Sequence, residues 1–486
     1  MVSCGRNFID FANVFKAFVG SFYLSVAYWF SQCGLILTMV CILVTAITTD
    51  YCTQLMIKCK HEIINRLTII DKKEQDITPE EKAHQLQERE RIGRNLTYAE
   101  IANITLGKNA VYVVNTAIFI TQFGFTTQYI IFLGNTIQAL FPYTANNSTN
   151  NSNLADGDIY PVNDNARLTT APVYELTVII PIPFFIACSL FRDVRKLAPV
   201  SLAGNMAIFC GFFATLGVIY SDFHIIEEIQ FAQWAALPLC FGAVSGAFEG
   251  IGTVIPVESS MVGNRHMYPC FLHLTIALLA LISSTLGASG YLRFGSNTQQ
   301  IIIENLIETE ESTLLTIIYS FICLSVALTY PLQLFPVLGV IENGLFLPGK
   351  ILGPRKLKAD DHDELDNGHN IQNPLIDENK ELAIAIPKSV PAWQRNMLRI
   401  SLICIQVGIA ILLKNQYAYF GSIVGTIGAC VLGYILPPLI HIKLWRHQVS
   451  WAFTALNIFI VCIFGIIGGI MSLSFGFKTI IERLIN

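Results

Sequence analysis

"FGAVSGAFEGIGTVIPVESS", Phe241–Ser260, lies in an apolar run, and its reading decides the fold. Gly242, Ser245, Gly246, Gly250 and Gly252 surround a single carboxylate, Glu249, and Pro256 follows. In hydrocarbon an unpaired backbone group costs several kcal/mol, so a helix breaks only where protein or a polar cavity satisfies the freed amides and carbonyls. Such a break exposes groups that bind a small zwitterion. A lone acid beside it is a functional candidate, because burying it is costly unless it is paired or protonated. The competing reading is close helix packing at small residues, with Glu249 bonded to a neighbouring helix. Packing accounts for the glycines but not for glycines, acid and proline arriving together.

Around that stretch the 486-residue chain is 53% hydrophobic and 14% charged. Soluble domains carry about 25% charged residues, so the composition points to a multi-span membrane protein. The net charge of −4 says little, because the side of the membrane on which each charge falls matters more. Apolar windows of about 20 residues, enough to cross a hydrocarbon core of about 30 Å, fall near 11–30, 34–57, 109–141, 172–190, 200–221, 235–257, 269–290, 313–343, 396–414, 418–441 and 451–476. They predict an all-α integral membrane protein of about 11 transmembrane helices. Continuous runs without period-two alternation argue against a strand barrel.

Lys and Arg set the expected orientation. With a cytosolic N-terminus, one side receives ten basic residues in 58–108, then Arg192, Arg195, Lys196, Arg265, eight more in 344–399, Lys443 and Arg446. The other side receives Arg167, Arg293, Lys414, Lys478 and Arg483. The expected C-terminus is therefore lumenal or extracellular. The loop 142–171 falls on that side and carries glycosylation sequons at Asn146, Asn147 and Asn150. Sequons at Asn95 and Asn103 fall in the cytosol or the membrane and read as chance. The first span has no small-residue cleavage exit and is expected to stay as an anchor. The 13 cysteines are scattered, mostly within spans, and imply no disulfide framework or redox pair.

The whole chain, 1–486, reads as one transporter-like membrane domain with two cytosolic connectors. Residues 58–98 are charged enough for a solvated helix or coil, and 344–394 are acidic, Asn-rich and expected to be disordered. Between the first connector and span 3, "LTYAEIANITLG" reads as a short interfacial helix. Enzyme readings fail. "HEIIN", His61–Asn65, lacks the second imidazole that a zinc site needs on one helical face, and neither a phosphate cradle nor a nucleophile elbow appears. No metal site, cofactor or nucleic-acid partner is expected.

A second break-like stretch, "AFVGSFYLSVAYWF", Ala17–Phe30, holds Gly20-Ser21 in the first span. Spans 1 and 6 are the first helices of two five-span halves, 1–5 and 6–10. Interrupted helices in matching places point to an inverted-repeat secondary transporter. Half-helix ends would then aim amides at a substrate carboxylate and carbonyls at its ammonium. In span 3, Gln122, Thr126 and Tyr129 are candidates to line the pathway, although interhelical hydrogen bonds explain many such residues. Tyr330-Pro331 and Pro336 predict a kink in span 8. "GSIVG", Gly421–Gly425, reads as a packing motif.

"AFEGIGTVIPVESSM" (Ala247–Met261) and "GASGYLRFGSNTQQIIIENL" (Gly287–Leu306) resemble the amino acid/auxin permease family, especially its proton-coupled and vacuolar amino acid transporters. "NVFKAFVGS", "CGLIL", "ITQFGFTTQYIIFL" and "RKLAPVSLAGN" match in order and spacing over nearly the whole chain. The resemblance implies a LeuT-like 5+5 inverted repeat with discontinuous helices 1 and 6 plus one extra C-terminal helix. It places Gly20, Ser21 and Phe22 on the substrate-binding break of helix 1, and Phe248, Glu249, Gly250, Ile251 and Gly252 on that of helix 6. Phe22 stands where relatives keep a second Gly and Ala27 where they keep Pro, so a shorter unwound segment and an altered pocket are expected. Animal proton-coupled members carry a His where this chain has Asn13, and their loop disulfide is absent.

The function expected is secondary transport of small neutral amino acids by alternating access, coupled to protons with Glu249 as the proton-coupling group. Sodium is the alternative coupling ion, and a nutrient sensor with little flux is the alternative function. No ring of charges favours a channel. The absent disulfide and acidic connector favour a vacuolar or lysosomal membrane over the plasma membrane. The oligomeric state is left open.

Overall fold

The computed structural model describes residues 2–68, 89–93, 96–140, 172–190, 198–261, 264–309, 313–346, 390–446, 448 and 450–485. Every regular element among them is helical. Eight helical runs among the described residues, counted through their short turns and breaks, are long and apolar enough to cross a membrane, so the chain is a multi-pass membrane protein. Its helices bury shared faces and leave apolar residues such as Ile47, Phe213, Leu281 and Ile470 exposed, as a protein solvated by lipid requires. The sequons Asn146, Asn147 and Asn150, the loop 142–171 and most of 344–394 lie outside the described residues.

The first expected span is interrupted. Helix α1 (Val2–Phe18) stops before Val19 and Gly20, a tight turn follows over Ser21–Ser25, and α2 (Val26–Cys33) completes the run. Only two residues leave helical geometry altogether, in keeping with the short break expected from Phe22 and Ala27. Helix α3 (Leu35–Thr68) runs 34 residues, well into the segment expected to be connector from residue 58. Adding a turn to an existing helix is cheap, and Lys60 and His61 find a partner across the bundle at Glu258.

The expected interfacial helix is α4 (Tyr98–Leu106), opened by a capping box in which Thr97 and Glu100 bond each other's backbone amides. Gly107, at φ 97°, turns the chain directly into α5 (Lys108–Ala139), a conformation that favours glycine. The fourth run divides at Ile180-Pro181 into α6 (Tyr174–Ile179) and α7 (Ile182–Ser189), and α8 (Ala198–Ser221) follows.

Residues 230–233 are stitched to the turn between α2 and α3. Leu35 N–H donates to the Gln230 carbonyl (2.9 Å), Ile36 N–H to Phe231 (3.0 Å), and Gln233 N–H to Cys33 (2.8 Å). This seam enters the sixth run, which is again broken. Helix α9 (Leu237–Ala247) ends before Phe248–Gly250, and α10 (Ile251–Ser260) resumes with Pro256 inside it.

Helix α11 (Tyr268–Phe294), the short α12 (Ile302–Thr309) and α13 (Thr313–Phe346) come next; α13 carries both Pro331 and Pro336 within one continuous helix. The last helices are α14 (Ala392–Leu412), α15 (Tyr417–Gly428), α16 (Leu436–Leu444), α17 (Trp451–Ile460) and α18 (Gly468–Ile485). Widened π-turns over Ala429–Ile435 and Val461–Ile467 join α15 to α16 and α17 to α18.

Candidate substrate site at the two helix breaks

The two breaks meet. A Cβ built on Gly250 would lie 2.6 Å from the Phe18 ring and 2.8 Å from the Ala17 carbonyl. Only a glycine lets the start of α10 approach the end of α1 this closely. Thr253, one turn into α10, donates its hydroxyl to the Gly250 carbonyl at 2.7 Å and lies 3.5 Å from that of Ala17. Both turns downstream of the breaks begin at glycines, Gly20 and Gly250, which offer no side-chain cap. Their leading amides and the last carbonyls of α1 and α9 therefore supply partial charges of both signs in one small volume.

Helix α5 closes the third side. The Tyr129 hydroxyl stands 3.5 Å from a Cβ built on Gly20, and the Tyr129 ring is buried. Glu249 points past the break rather than into α9: a Cβ on Gly428 would meet its Cγ at 3.1 Å and the Thr121 hydroxyl at 2.8 Å. The carboxylate is buried, takes a backbone hydrogen bond from Gly252, and leaves Oε1 without a hydrogen-bond partner among the described residues. Gln122 Oε1 on α5 is likewise buried and without a partner among the described residues. An unsatisfied buried oxygen costs about 1–3 kcal/mol, so Glu249 Oε1 beside the broken helix calls for an explanation other than packing.

The other expected residues are distributed as follows. Phe248 and Ile251 are buried at the break, and Gly252 keeps 4.0 Å between its built Cβ and Glu249 Oε1. Phe22 turns to α15, where a Cβ on Gly421 would lie 2.7 Å from its ring. Thr126 turns to α14: Gln406 Nε2 donates to its hydroxyl (2.6 Å), while Tyr330 donates to Gln406 Oε1 (2.6 Å). Ser21 enters only through its backbone, its side chain lying outside the described residues. The glycines of "GSIVG" pack: Gly246 of α9 approaches the Gly425 Cα so closely that a Cβ would sit 2.8 Å away.

Two fully buried ion pairs escaped sequence reasoning, because their partners are far apart in the chain. Lys60 of α3 pairs with Glu258 of α10, and both are 0% exposed. His61 Nε2 bonds Glu258 Oε1 at 2.9 Å, Lys60 donates to the Ser259 hydroxyl at 2.7 Å, and Ser259 donates to the Gly93 carbonyl at 3.0 Å. Beyond them, Asn264 Nδ2 donates to Asp10 (2.7 Å) and Asn7 (2.9 Å) on α1. The second pair joins Glu342 of α13 to Arg399 of α14 at 2.6 Å, with Arg395 at 3.2 Å, and Arg399 also donates to the Ser189 carbonyl that ends α7. The available signal was a lone acid or base at the end of an apolar run in each case.

Paired interrupted helices of this kind recur in transporter folds. The sequence pattern of the family described as transmembrane amino acid transporter protein matches residues 7–68 and 82–478, and the chain belongs to that family. It is 27% identical over 340 residues to vacuolar amino acid transporter 4 of Saccharomyces cerevisiae, covering 67% of this chain but 41% of that one. It is 23% identical over 464 residues to amino acid transporter AVT3B of Arabidopsis thaliana, covering 95% and 91%. It is 24% identical to the proton-coupled amino acid transporter-like protein pathetic of Drosophila melanogaster, covering 68% and 63%. The chain thus spans less than half the length of two fungal relatives, 41% and 47%. Among solved structures, a mutant manganese transporter of Eremococcus coleocola overlaps it with a TM-score of 0.49 at 10% identity, over 98% of this chain and 91% of that one.

Proposed function

We propose that the chain is a secondary carrier of small neutral amino acids, built of eleven spans in a LeuT-like 5+5 arrangement, that couples transport to protons by alternating access. The observation that carries this reading is the meeting of the breaks at Gly20 and Gly250 beneath the Tyr129 hydroxyl, with Glu249 buried beside them. The substrate carboxylate takes the leading amides of the turn after Gly20, since the Gly252 amide already serves Glu249; the ammonium takes the carbonyls before a break, and Tyr129 contributes a hydroxyl. The Phe248 ring is buried at the break, and this reading assigns the site a short neutral side chain. Glu249 receives the proton on Oε1, the oxygen without a partner.

The buried ion pairs support a definite division of the moving parts. Lys60–Glu258 ties α3 to α10, and Asn264 ties the following turn to α1. Glu342–Arg399 ties α13 to α14 and α7. Breaking a buried pair costs about 3–5 kcal/mol, so each set of helices moves as a unit and the cycle runs between them. The site lies on that boundary, with Gly20, Gly250 and Glu249 on one side and Tyr129 and Thr121 of α5 on the other.

The fungal and plant relatives named for vacuolar or amino acid transport support an internal, vacuole-like membrane, with the N-terminus cytosolic and the C-terminus lumenal by the Lys and Arg distribution. Flux measured with sodium replaced by choline separates proton from sodium coupling; this reading requires unchanged flux, and its loss would assign the coupling to sodium. The sensor reading rests on Phe22, whose ring fills the space beside Gly421. Binding of an amino acid without measurable flux would favour it over the carrier.

A further inference from the structure

A cavity of about 250 Å³ opens where α3, α4 and α16 converge, at the end of the bundle where Lys and Arg collect. Ile63, Leu67, Ile104 and Leu444 form apolar walls, Arg66 and Lys443 supply cationic groups, and Thr105 completes the lining. We propose that this cavity holds an anionic phospholipid, its phosphate against Lys443 and Arg66 and an acyl chain along the four apolar side chains.

The mouth has an apolar rim: Leu67 and Ile104 are exposed large apolar residues of its lining, and α4 is held by its capping box at one end and the Gly107 turn at the other. The Thr105 hydroxyl donates its proton to the Ile101 carbonyl (2.7 Å), so the hydrogen-bond donors left for a ligand come from the cations. Arg66 is held rigidly: its Nε donates to Glu62 (2.8 Å) and its Nη2 to the Leu444 carbonyl (2.8 Å). Glu62 offsets part of its charge, whereas Lys443 has no ion-pair partner among the described residues and remains the main cation.

The combination selects the ligand. A free anion makes no use of four apolar walls, and a neutral chain leaves the ammonium unanswered; a phosphate joined to a chain uses both. Basic pockets between helices on the cytoplasmic side are suited to anionic headgroups, each basic residue near the surface contributing about 1 kcal/mol. Because the Arg66–Leu444 bond spans α3 and α16, a lipid seated here also braces the end of the bundle.

The test uses the full chain, purified and delipidated in mild detergent, with its thermal melting followed as phosphatidylserine, phosphatidylcholine or inorganic phosphate is added. Phosphatidylserine is expected to raise the melting temperature, and the other two to leave it in place. Lys443→Gln, at an exposed side chain, is expected to keep the lipid-free melt and hold phosphatidylserine about fivefold more weakly. Ile104→Trp, which fills the cavity without changing charge, is expected to abolish the shift. An equal shift from phosphatidylcholine or from phosphate alone overturns the proposal, as does an undiminished shift in both folded variants.

Discussion

Gly20 and Gly250 occupy matching places and face different neighbours, and that difference is measurable. A methyl at Gly250 would press into Phe18 and the Ala17 backbone, whereas at Gly20 it would reach ordinary contact with the Tyr129 hydroxyl. Overpacking of the first kind costs about 1–3 kcal/mol. Gly250→Ala is therefore expected to lower the thermal midpoint and abolish transport, while Gly20→Ala folds normally and weakens substrate binding. Differential scanning fluorimetry with a substrate titration reads both; normal binding by folded Gly20→Ala would remove Gly20 from the site. Glu249→Gln keeps the volume and removes the titrating group. It is expected to leave a folded protein whose flux no longer varies with pH, and a pH–flux profile like that of the parent chain would exclude Glu249 from coupling.

At the scale of elements, both breaks were legible because glycines clustered where lipid penalises loose backbone. The short break in the first run also accords with Phe22 and Ala27, and the apolar residues of "LTYAEIANITLG" announced the helix α4, whose capping box only the structure shows. What sequence could not place were partners distant in the chain. Lys60 and His61 read as connector residues, and only the fold brings Glu258, 198 positions away, against Lys60. Thr126 and Tyr129 are three residues apart on one polar face, yet Thr126 serves α14 while Tyr129 covers Gly20. Periodicity fixes the face of a helix, not which neighbour it meets. Glu258→Ala leaves Lys60 buried and unpaired, so it is expected to lose about 3–5 kcal/mol. The charge-swapped Lys60→Glu/Glu258→Lys double variant is expected to regain much of that loss in thermal melts, and an additive double variant would deny the coupling.

For the whole molecule, the spans predicted from apolar windows coincide with helices nearly throughout. The first and fourth fall short of uninterrupted helices because of the break at Val19-Gly20 and the step at Pro181. The orientation makes its own prediction: replacing Asn146, Asn147 and Asn150 together by Gln removes the glycosidase-sensitive mass from the expressed protein. A glycan retained in that variant would place the loop differently. The proposed alternating access rests on two sets of helices, each tied by a buried ion pair, and transport is where that proposal is most exposed. The direct measurement is uptake of labelled neutral amino acids by proteoliposomes holding the purified chain, with and without an imposed pH gradient. Uptake of small neutral members, driven up by the gradient and collapsed by a protonophore, is the predicted result. Absence of gradient-stimulated flux for every amino acid in the panel would contradict it.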